Sequence, residues 1–345
     1  MAPRSPATNA KRVTLKDVAA LAGVHPSAVS RAVNNDPNLS VSEETRRRIM
    51  AAVERLGYRA NLSARGLRVA ATWTVGLIIP SISNPMYETI VRGVENAAVR
   101  RGYEIVIGSQ IEGRSAQTFA NLLRQGRVEG LLVASGTLHD DFIREIAGDG
   151  RGPVITVNRR VIGVPSSVIV DDERASGKVV GYLHDLDHRE LGGIFGPGNI
   201  DTAIRRRRGF QSAIKRMGLR AQIADCVGWS ARDGYLGTIE ILERRPSITA
   251  VYASTLLMGI GALRAAAEMG RSVPASLSIV SLHDHPIAEF LNPPLTTIRL
   301  PTERLGAQAI DLLIELRSGG RPRGILIEGC GEIVERASHA IAPSR

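Results

Sequence analysis

Apolar residues recur along this chain with two different periods, and the change falls near Trp73. Before it, Leu15, Val18, Ala19 and Ala22 are three or four residues apart, the repeat that lays one buried stripe along a helix. Thr14, three residues ahead of Asp17, predicts a capping box at the start of that helix. Gly23 predicts its end, because a left-handed residue costs least as glycine, and Val24 follows as a buried turn residue. Pro26 suits the first position of a second helix, in which Val29, Ala32 and Val33 face inward while Ser27, Arg31 and Asn34 face outward. A third helix is predicted from Ser42 as N-cap, with Glu43 and Glu44 in its first turn, Ile49, Val53 and Leu56 inward, and Gly57 as stop. Ala19 is small enough to let the first two helices cross closely, which is the helix-turn-helix pattern.

After Trp73 the pattern becomes short β-branched runs alternating with amphipathic helices. "TVGLIIP" precedes a helix predicted over 86–101, and "YEIVIGS" precedes another over 115–126; "GLLVAS" and "PVITVN" continue the series. A second series is predicted to begin near "SSVIVDD" and to run through "LGGIFGP", "AVYAS" and "LSIVSL". Alternation of this kind is the signature of parallel βαβ units, and two series imply two sheets with a ligand cleft where the strands' carboxyl ends face each other. The expected fold is an all-α helix-turn-helix head followed by an α/β core of two Rossmann-like lobes.

Charge sharpens this division. Residues 1–70 hold twelve Lys or Arg against five Asp or Glu, a net of +7 out of the chain's +10, so the other 275 residues carry only +3. A cationic end points to a polyanionic partner for that end alone. The exposed polar face of the second helix, with its short side chains and one arginine, suits a DNA major groove. Two cysteines, Cys226 and Cys330, make neither a disulfide framework nor a metal cluster and read as reduced thiols of a cytoplasmic protein. The opening "MAPRSPATNAKR" has no apolar segment of the secretory kind and reads as a loose arm, and no apolar run is long enough for a bilayer.

Catalytic and cofactor signals are not found. No G-x-S-x-G elbow or G-x-x-x-x-G-K loop occurs, and "GPG" at 196–198 lacks dinucleotide-fingerprint spacing. His184 and His188 stand four apart as zinc ligands do, but no third ligand is evident; "HDH" at 283–285 reads as a rim loop. Neither a cofactor, nor a metal, nor an enzyme is expected.

The segments "TLKDVAALAGV", "VSRAVN", "VSEETRRRIMAAVERLGYRAN" and "ARGLR" resemble the lactose-repressor (LacI/GalR) family of bacterial transcription regulators, and "VGLIIPSISNPMY", "GRVEGLLVAS", "RRRRGF" and "NPPLTTIRLP" extend the resemblance over nearly the whole chain. It implies a periplasmic-binding-protein-like core whose chain crosses between lobes near 170, 297 and 330. The expected organisation is an arm at 1–11, a DNA-binding head at 12–60, a hinge at 61–72 and a two-lobed domain at 73–345. Its first lobe takes about 73–170 and 298–329, its second about 171–297 and 330–345.

The resemblance also implies a function: a repressor that binds a pseudo-palindromic double-stranded operator as a homodimer and responds to a small-molecule effector. The base-reading face would be Ser27, Ala28, Ser30, Arg31 and Asn34, opened by Pro26. His25 stands where the family has a serine cap, and a histidine cap being weaker, it is assigned to phosphate instead. Thr14 and Tyr58 complete the expected DNA contacts of the head, and Asn61 adds one at the start of the hinge. In the hinge, Leu67 would wedge into the minor groove between Arg65 and Arg68, gaining a bent duplex at the cost of unstacking. Ala60 and Gly66 depart from the family's hinge, and glycine weakens a helix by about 1 kcal/mol relative to alanine. The chain's end, "ERASHAIAPSR", carries no heptads of the tetramer-forming kind, which favours a dimer.

For the effector, Ser81, Ser83, Asn84 and Tyr87 follow the first strand and Asn158 and Arg159 close another. Arg206 sits at the family's ligand-contacting arginine, with Arg205, Arg207 and Arg208 read as a solvated face. Trp229 is either a flat wall or core. Thr255-Leu256 replaces the family's Asn-Asp and His283-Asp284 its acidic pair, so a simple neutral hexose is not expected. Arg159 and Arg206 with few opposing acids favour a carboxylate or phosphate. The rival reading, a two-lobed solute-binding protein without DNA function, fits neither the basic head nor the lack of a leader.

Overall fold

The computed structural model describes residues 13–33, 39–58, 71–109, 114–136 and 138–343. The chain forms two compact units, Met1–Thr72 and Trp73–Arg345. The expected arm at 1–11 lies outside the described residues, as does most of the hinge at 61–72.

The first unit is three helices, α1 (Leu15–Ala22), α2 (Pro26–Val33) and α3 (Glu43–Arg55). Thr14 and Asp17 form the capping box, satisfying backbone N–H groups that a helix start leaves orphaned. Gly23 ends α1 at φ 63°, donating to the carbonyls of Ala19 and Ala20. Ser42 accepts from the Thr45 N–H at the head of α3. Val18, Ala19 and Ala22 from α1, Val29 and Ala32 from α2, and Ile49 and Ala52 from α3 make a small buried core, with Val33, Val53, Leu56 and Tyr58 packed at its edge.

The second unit holds two six-stranded sheets. The first lobe contributes β1 (Thr74–Ile79), β2 (Glu104–Ser109), β3 (Leu131–Val133), β4 (Val154–Val157) and β5 (Ser167–Val170). The second contributes β6 (Glu190–Phe195), β7 (Arg220–Asp225), β8 (Ala250–Ala253), β9 (Ser278–Leu282) and β10 (Thr296–Arg299). The chain then returns to the first sheet with β11 (Gly324–Ile327) and ends in the second with β12 (Glu332–Val334). The orders are β11-β5-β4-β3-β1-β2 and β12-β10-β9-β8-β6-β7. All pairings are parallel except β12 against β10, where Ile298 faces Ile333. The strands carry almost unbroken apolar runs, as parallel strands covered on both faces must.

Two sequence expectations need correcting. "SSVIVDD" closes the first sheet rather than opening the second, because β5 pairs with β4 and β11. The second crossing follows Arg299, since β10 still pairs with β9, so residues 298 and 299 belong to the second lobe.

The helices between strands are α4 (Met86–Arg101), α5 (Arg114–Arg124) and α6 (Asp140–Gly148) in the first lobe, then α7 (Asp172–Asp185), α8 (Asp201–Arg216), α9 (Ala231–Arg244) and α10 (Leu256–Glu268) in the second. α11 (Thr302–Arg317) returns to pack on α4. Their backbones nearly touch: a Cβ on Gly93 would lie 2.0 Å from the Glu303 carbonyl oxygen, and one on Gly306 2.2 Å from that of Ile90. Among the described residues no helix is long and apolar enough to cross a membrane.

Candidate functional site

In the head, the buried side of α2 fixes what the other side shows. Val29 and Ala32 are buried, which leaves Ser27 and Arg31 exposed and Ala28 and Ser30 half-buried. The helix start departs from expectation. His25 does cap it: Nδ1 lies 3.3 Å from the Ser27 N–H and 2.8 Å from Ser27 Oγ, so an imidazole nitrogen replaces the hydroxyl of an ordinary N-cap. The Thr14 hydroxyl is held by Asp17 Oδ2 at 2.7 Å. Tyr58 is half-buried against the head's core. Asn34, Asn61, Arg65, Leu67 and Arg68, with Ala60 and Gly66, lie outside the described residues.

In the second unit a cavity of about 300 Å³ opens between the lobes at the strands' carboxyl ends. Ser81, Ser83, Asn84, Tyr87, Asn158, Arg159, Arg206, Trp229 and Thr255 all line it. Trp229 is therefore a wall, and it stands against Gly196, where a Cβ would come within 2.5 Å of its ring. The Arg206 guanidinium lies 5.6 Å from the indole centroid, within reach of a cation–π contact. Sequence reasoning missed Met86, Ile200, Leu257 and Thr202, among others; the apolar ones carry no mark that separates a cavity wall from core.

His283 and Asp284 do not line this cavity, which corrects their assignment. His283 stands behind Arg206, its Nε2 3.1 Å from an Arg206 Nη2 that donates to it. Burial first, and the neighbouring guanidinium second, hold its pKa well below the ordinary range, so the ring is neutral. Asp284 accepts from Thr297 Oγ1 at 2.6 Å, Arg299 at 2.7 Å and Arg336 at 2.8 Å, binding β10 to the C-terminal segment. His285 reaches the first lobe, Nε2 to Glu88 Oε2 at 2.8 Å. Leu256 is buried in the second-lobe core.

The arginines at the cavity are paired, where few opposing acids were expected. Arg206 is 1% exposed; Nε donates to Asp172 Oδ1 at 2.7 Å and Nη1 to the Ser254 carbonyl at 2.9 Å. Arg205 is buried too, correcting its placement on a solvated face: it pairs with Asp172 Oδ2, donates from Nε to Asp201 at 2.9 Å and from Nη1 to the Val170 carbonyl at 2.9 Å. Burial opposes the Arg205 charge, but Asp172 and Asp201 outweigh it and raise the pKa. Arg207 and Arg208 stay at the surface. Arg159 pairs with Asp140 and donates to the carbonyls of Ser135 and Leu138; burial nonetheless lowers its pKa. The lobes are joined beside these pairs, where Thr202 Oγ1 donates to the Asn158 carbonyl at 2.7 Å and the Arg160 N–H to Asp201 at 2.9 Å.

His188, half of the zinc-like spacing, is buried with Nδ1 2.8 Å from Thr249 Oγ1 and Nε2 3.1 Å from both Ser278 Oγ and the Ala340 carbonyl. Those contacts tie the start of β6 to the C-terminal segment.

Residues 14–61 match the family described as bacterial regulatory proteins, lacI family, and residues 180–339 match a periplasmic binding protein-like domain. The chain is 31% identical over 337 residues to the HTH-type transcriptional repressor PurR of Erwinia tasmaniensis, covering 96% of this chain and 98% of that one. It is 32% identical over 306 residues to the ribose operon repressor of Escherichia coli, covering 87% and 92%. Among solved structures, a lac repressor dimer bound to operator and the anti-inducer ONPF is similar at a TM-score of 0.84 and 27% identity, over 96% of this chain and all of that one. A complex of the transcriptional regulator CelR with cellobiose is similar at a TM-score of 0.71 and 29% identity, over 95% and 100%.

Proposed function

The chain belongs to the lacI family of bacterial regulatory proteins, and from that premise we propose that it is a transcription repressor that binds operator DNA as a homodimer under the control of a small molecule held between its lobes. It is a DNA-binding regulator of the cytoplasm rather than an enzyme. The observation that carries the DNA-binding half is α2, whose buried side is locked by Val29 and Ala32 while Ser27 and Arg31 face outward. One such helix covers one half-site, so a two-fold pair of chains reads a pseudo-palindrome. Asn34 and the hinge residues Asn61, Arg65, Leu67 and Arg68 complete the proposed DNA surface.

The cavity supplies the control. It lies between lobes joined by three crossings, and the Asp172–Arg205–Arg206 cluster couples its wall to the lobe junction. A ligand that favours one lobe arrangement shifts the population toward it and moves the segments leading to the head. Because the two cavity arginines already hold their counterions, this reading takes the effector as uncharged, in place of the anion expected from sequence.

Selection of bound fragments from random duplex DNA at near-physiological salt tests the reading. A palindrome of two half-sites is expected, and Arg31→Ala should weaken binding by at least ten-fold, roughly the 1–3 kcal/mol of a base contact. Enrichment of no sequence, with or without added small-molecule pools, would refute it.

A further inference from the structure

The wall of the inter-lobe cavity has few polar groups to spare. Four of its side-chain oxygens already accept a backbone N–H: Ser81 from Ser83 at 3.2 Å, Asn84 from Met86 at 3.1 Å, Ser230 from Asp233 at 3.2 Å and Thr255 from Met258 at 3.2 Å. The Thr202 hydroxyl spends its hydrogen on the Asn158 carbonyl. Asn158 Oδ1 and Arg159 Nε lie beneath the surface, out of reach of anything held in the cavity. Among the groups still open are two donors of the first lobe, the Asn84 carboxamide N–H and the Tyr87 hydroxyl, neither of which donates to another described residue. Burial raises the Tyr87 pKa, so the hydroxyl keeps its hydrogen. Among the described residues no Asp or Glu lines the cavity. The rest of the wall is largely apolar, with Pro80, Met86, Val157, Ile200 and Leu257 around the Trp229 ring. Apolar surface continues at the rim, where exposed Ile82 stands between Ser81 and Ser83, and exposed Val227 beside Gly228.

Neither a sugar nor an anion suits this wall. Sugar hydroxyls ring their molecule, and each one buried without a partner weakens binding roughly ten-fold. Apolar side chains and the face of an indole supply no such partners. An anion would meet Arg159 and Arg206 already paired with Asp140 and Asp172. We propose that the cavity takes an uncharged aromatic molecule that carries a hydrogen-bond acceptor and no donor, an aryl lactone or ketone in chemical class, with its ring on the apolar wall at Trp229 and its carbonyl oxygen accepting from the Tyr87 hydroxyl. This rests on the reading of the cavity as the effector site and adds the chemical class of the ligand. One small molecule can use both residues because both neighbour Arg206. The indole centroid lies 5.6 Å from the Arg206 guanidinium, and the charge of that guanidinium acts on the Tyr87 hydroxyl.

The test is ligand-observed NMR titration of the full chain with five probes: coumarin, 2-quinolinone, coumarin-3-carboxylate, ribose and cellobiose. 2-Quinolinone has the shape of coumarin with the ring oxygen replaced by an N–H. Coumarin should bind about ten-fold tighter than the carboxylate and the two sugars, and tighter than 2-quinolinone, whose N–H would go without a partner. Tyr87→Phe should weaken coumarin about five-fold, the loss of one hydrogen bond. It removes a hydroxyl that donates to no other described residue, so the fold should stand. Trp229→Leu takes away the flat wall and should weaken coumarin as well. Tighter binding of a sugar or of the carboxylate, lost in Trp229→Leu, would overturn the ligand class while leaving the cavity as the effector site. 2-Quinolinone binding as tightly as coumarin, or more so, would overturn the claim that no donor is accepted. Coumarin binding that ignores both variants, or its absence, would overturn the inference. If no probe responds to either variant, the effector-site reading fails with it.

Discussion

Asp172 is the most consequential side chain of the lobe junction. It is fully buried at the start of α7 and shared between two buried guanidiniums, Arg206 Nε at 2.7 Å and Arg205 Nη1. Asp172→Asn keeps the shape but removes the charge, leaving Arg206 with no carboxylate partner in the pairs it makes and Arg205 with only Asp201. Breaking a buried pair from one side costs about 3–5 kcal/mol, because the remaining charge stays desolvated. The carboxamide oxygen still accepts one bond, which places the expected loss near the lower end, about 3 kcal/mol, or a fall of roughly 6–12 °C in the melting temperature of a domain this size. Arg208→Gln is the matched control. Arg208 belongs to the same basic run but pairs with Glu173 at 3.1 Å while 63% exposed, and an exposed pair contributes at most about 1 kcal/mol. Urea unfolding of the full chain, followed through the transition of the two-lobed unit, would measure both. Equal and small losses would refute the claim that burial, rather than the ion pair itself, sets the magnitude.

Acid should destabilise the two-lobed unit below neutrality. Three imidazoles, of His188, His283 and His339, have pKa values lowered chiefly by burial. The unfolded chain therefore binds more protons as pH falls below about 6.5, so stability is full above that value and declines beneath it. His283→Asn, which tolerates the left-handed φ of 72° there, should flatten that decline between about pH 6.5 and 5, and an unchanged slope would contradict a neutral His283. Thr14→Ala removes the capping box of α1 and should cost about 1 kcal/mol, read by circular dichroism as a lower melting temperature of the head with the two-lobed unit unchanged. No shift in the head's transition would count against that cap.

What the sequence made legible was local chemistry. The ends of α1 and α3 follow from Thr14, Gly23 and Ser42, because orphaned backbone groups are satisfied by residues within one turn. The strand runs were equally plain, but the sheet that "SSVIVDD" joins was not, since pairing with β4 and β11 is decided by segments up to 157 residues away, as Gly324 opposite Ser167 shows. Arg205 and Arg206, about 100° apart on α8, looked separable into one solvated and one ligand-contacting residue. Both are buried because Asp172 enters between them from α7, a contact no helical repeat encodes. The pairing of the cavity arginines was as hard to read: Arg159 and Arg206 are visible in a sequence, while their seating against Asp140 and Asp172 is made by the fold. His283 and Asp284 follow β9 as a cleft residue should, yet a left-handed turn at His283 sends one side chain behind Arg206 and the next toward β10.

The tripeptide His283–Asp284–His285 spans three loyalties in three residues. Its first side chain supports the cavity's arginine, its second fastens a strand that precedes a lobe crossing, and its third holds a helix of the opposite lobe. For chimaera building this fixes where a seam can fall. A seam just before 283 parts the tripeptide from Glu88 and Arg206, and one just after 285 parts it from Arg299 and Arg336. The second lobe exchanged whole keeps all of these partners except Glu88, so the first lobe of a working hybrid must bring a glutamate at that one position.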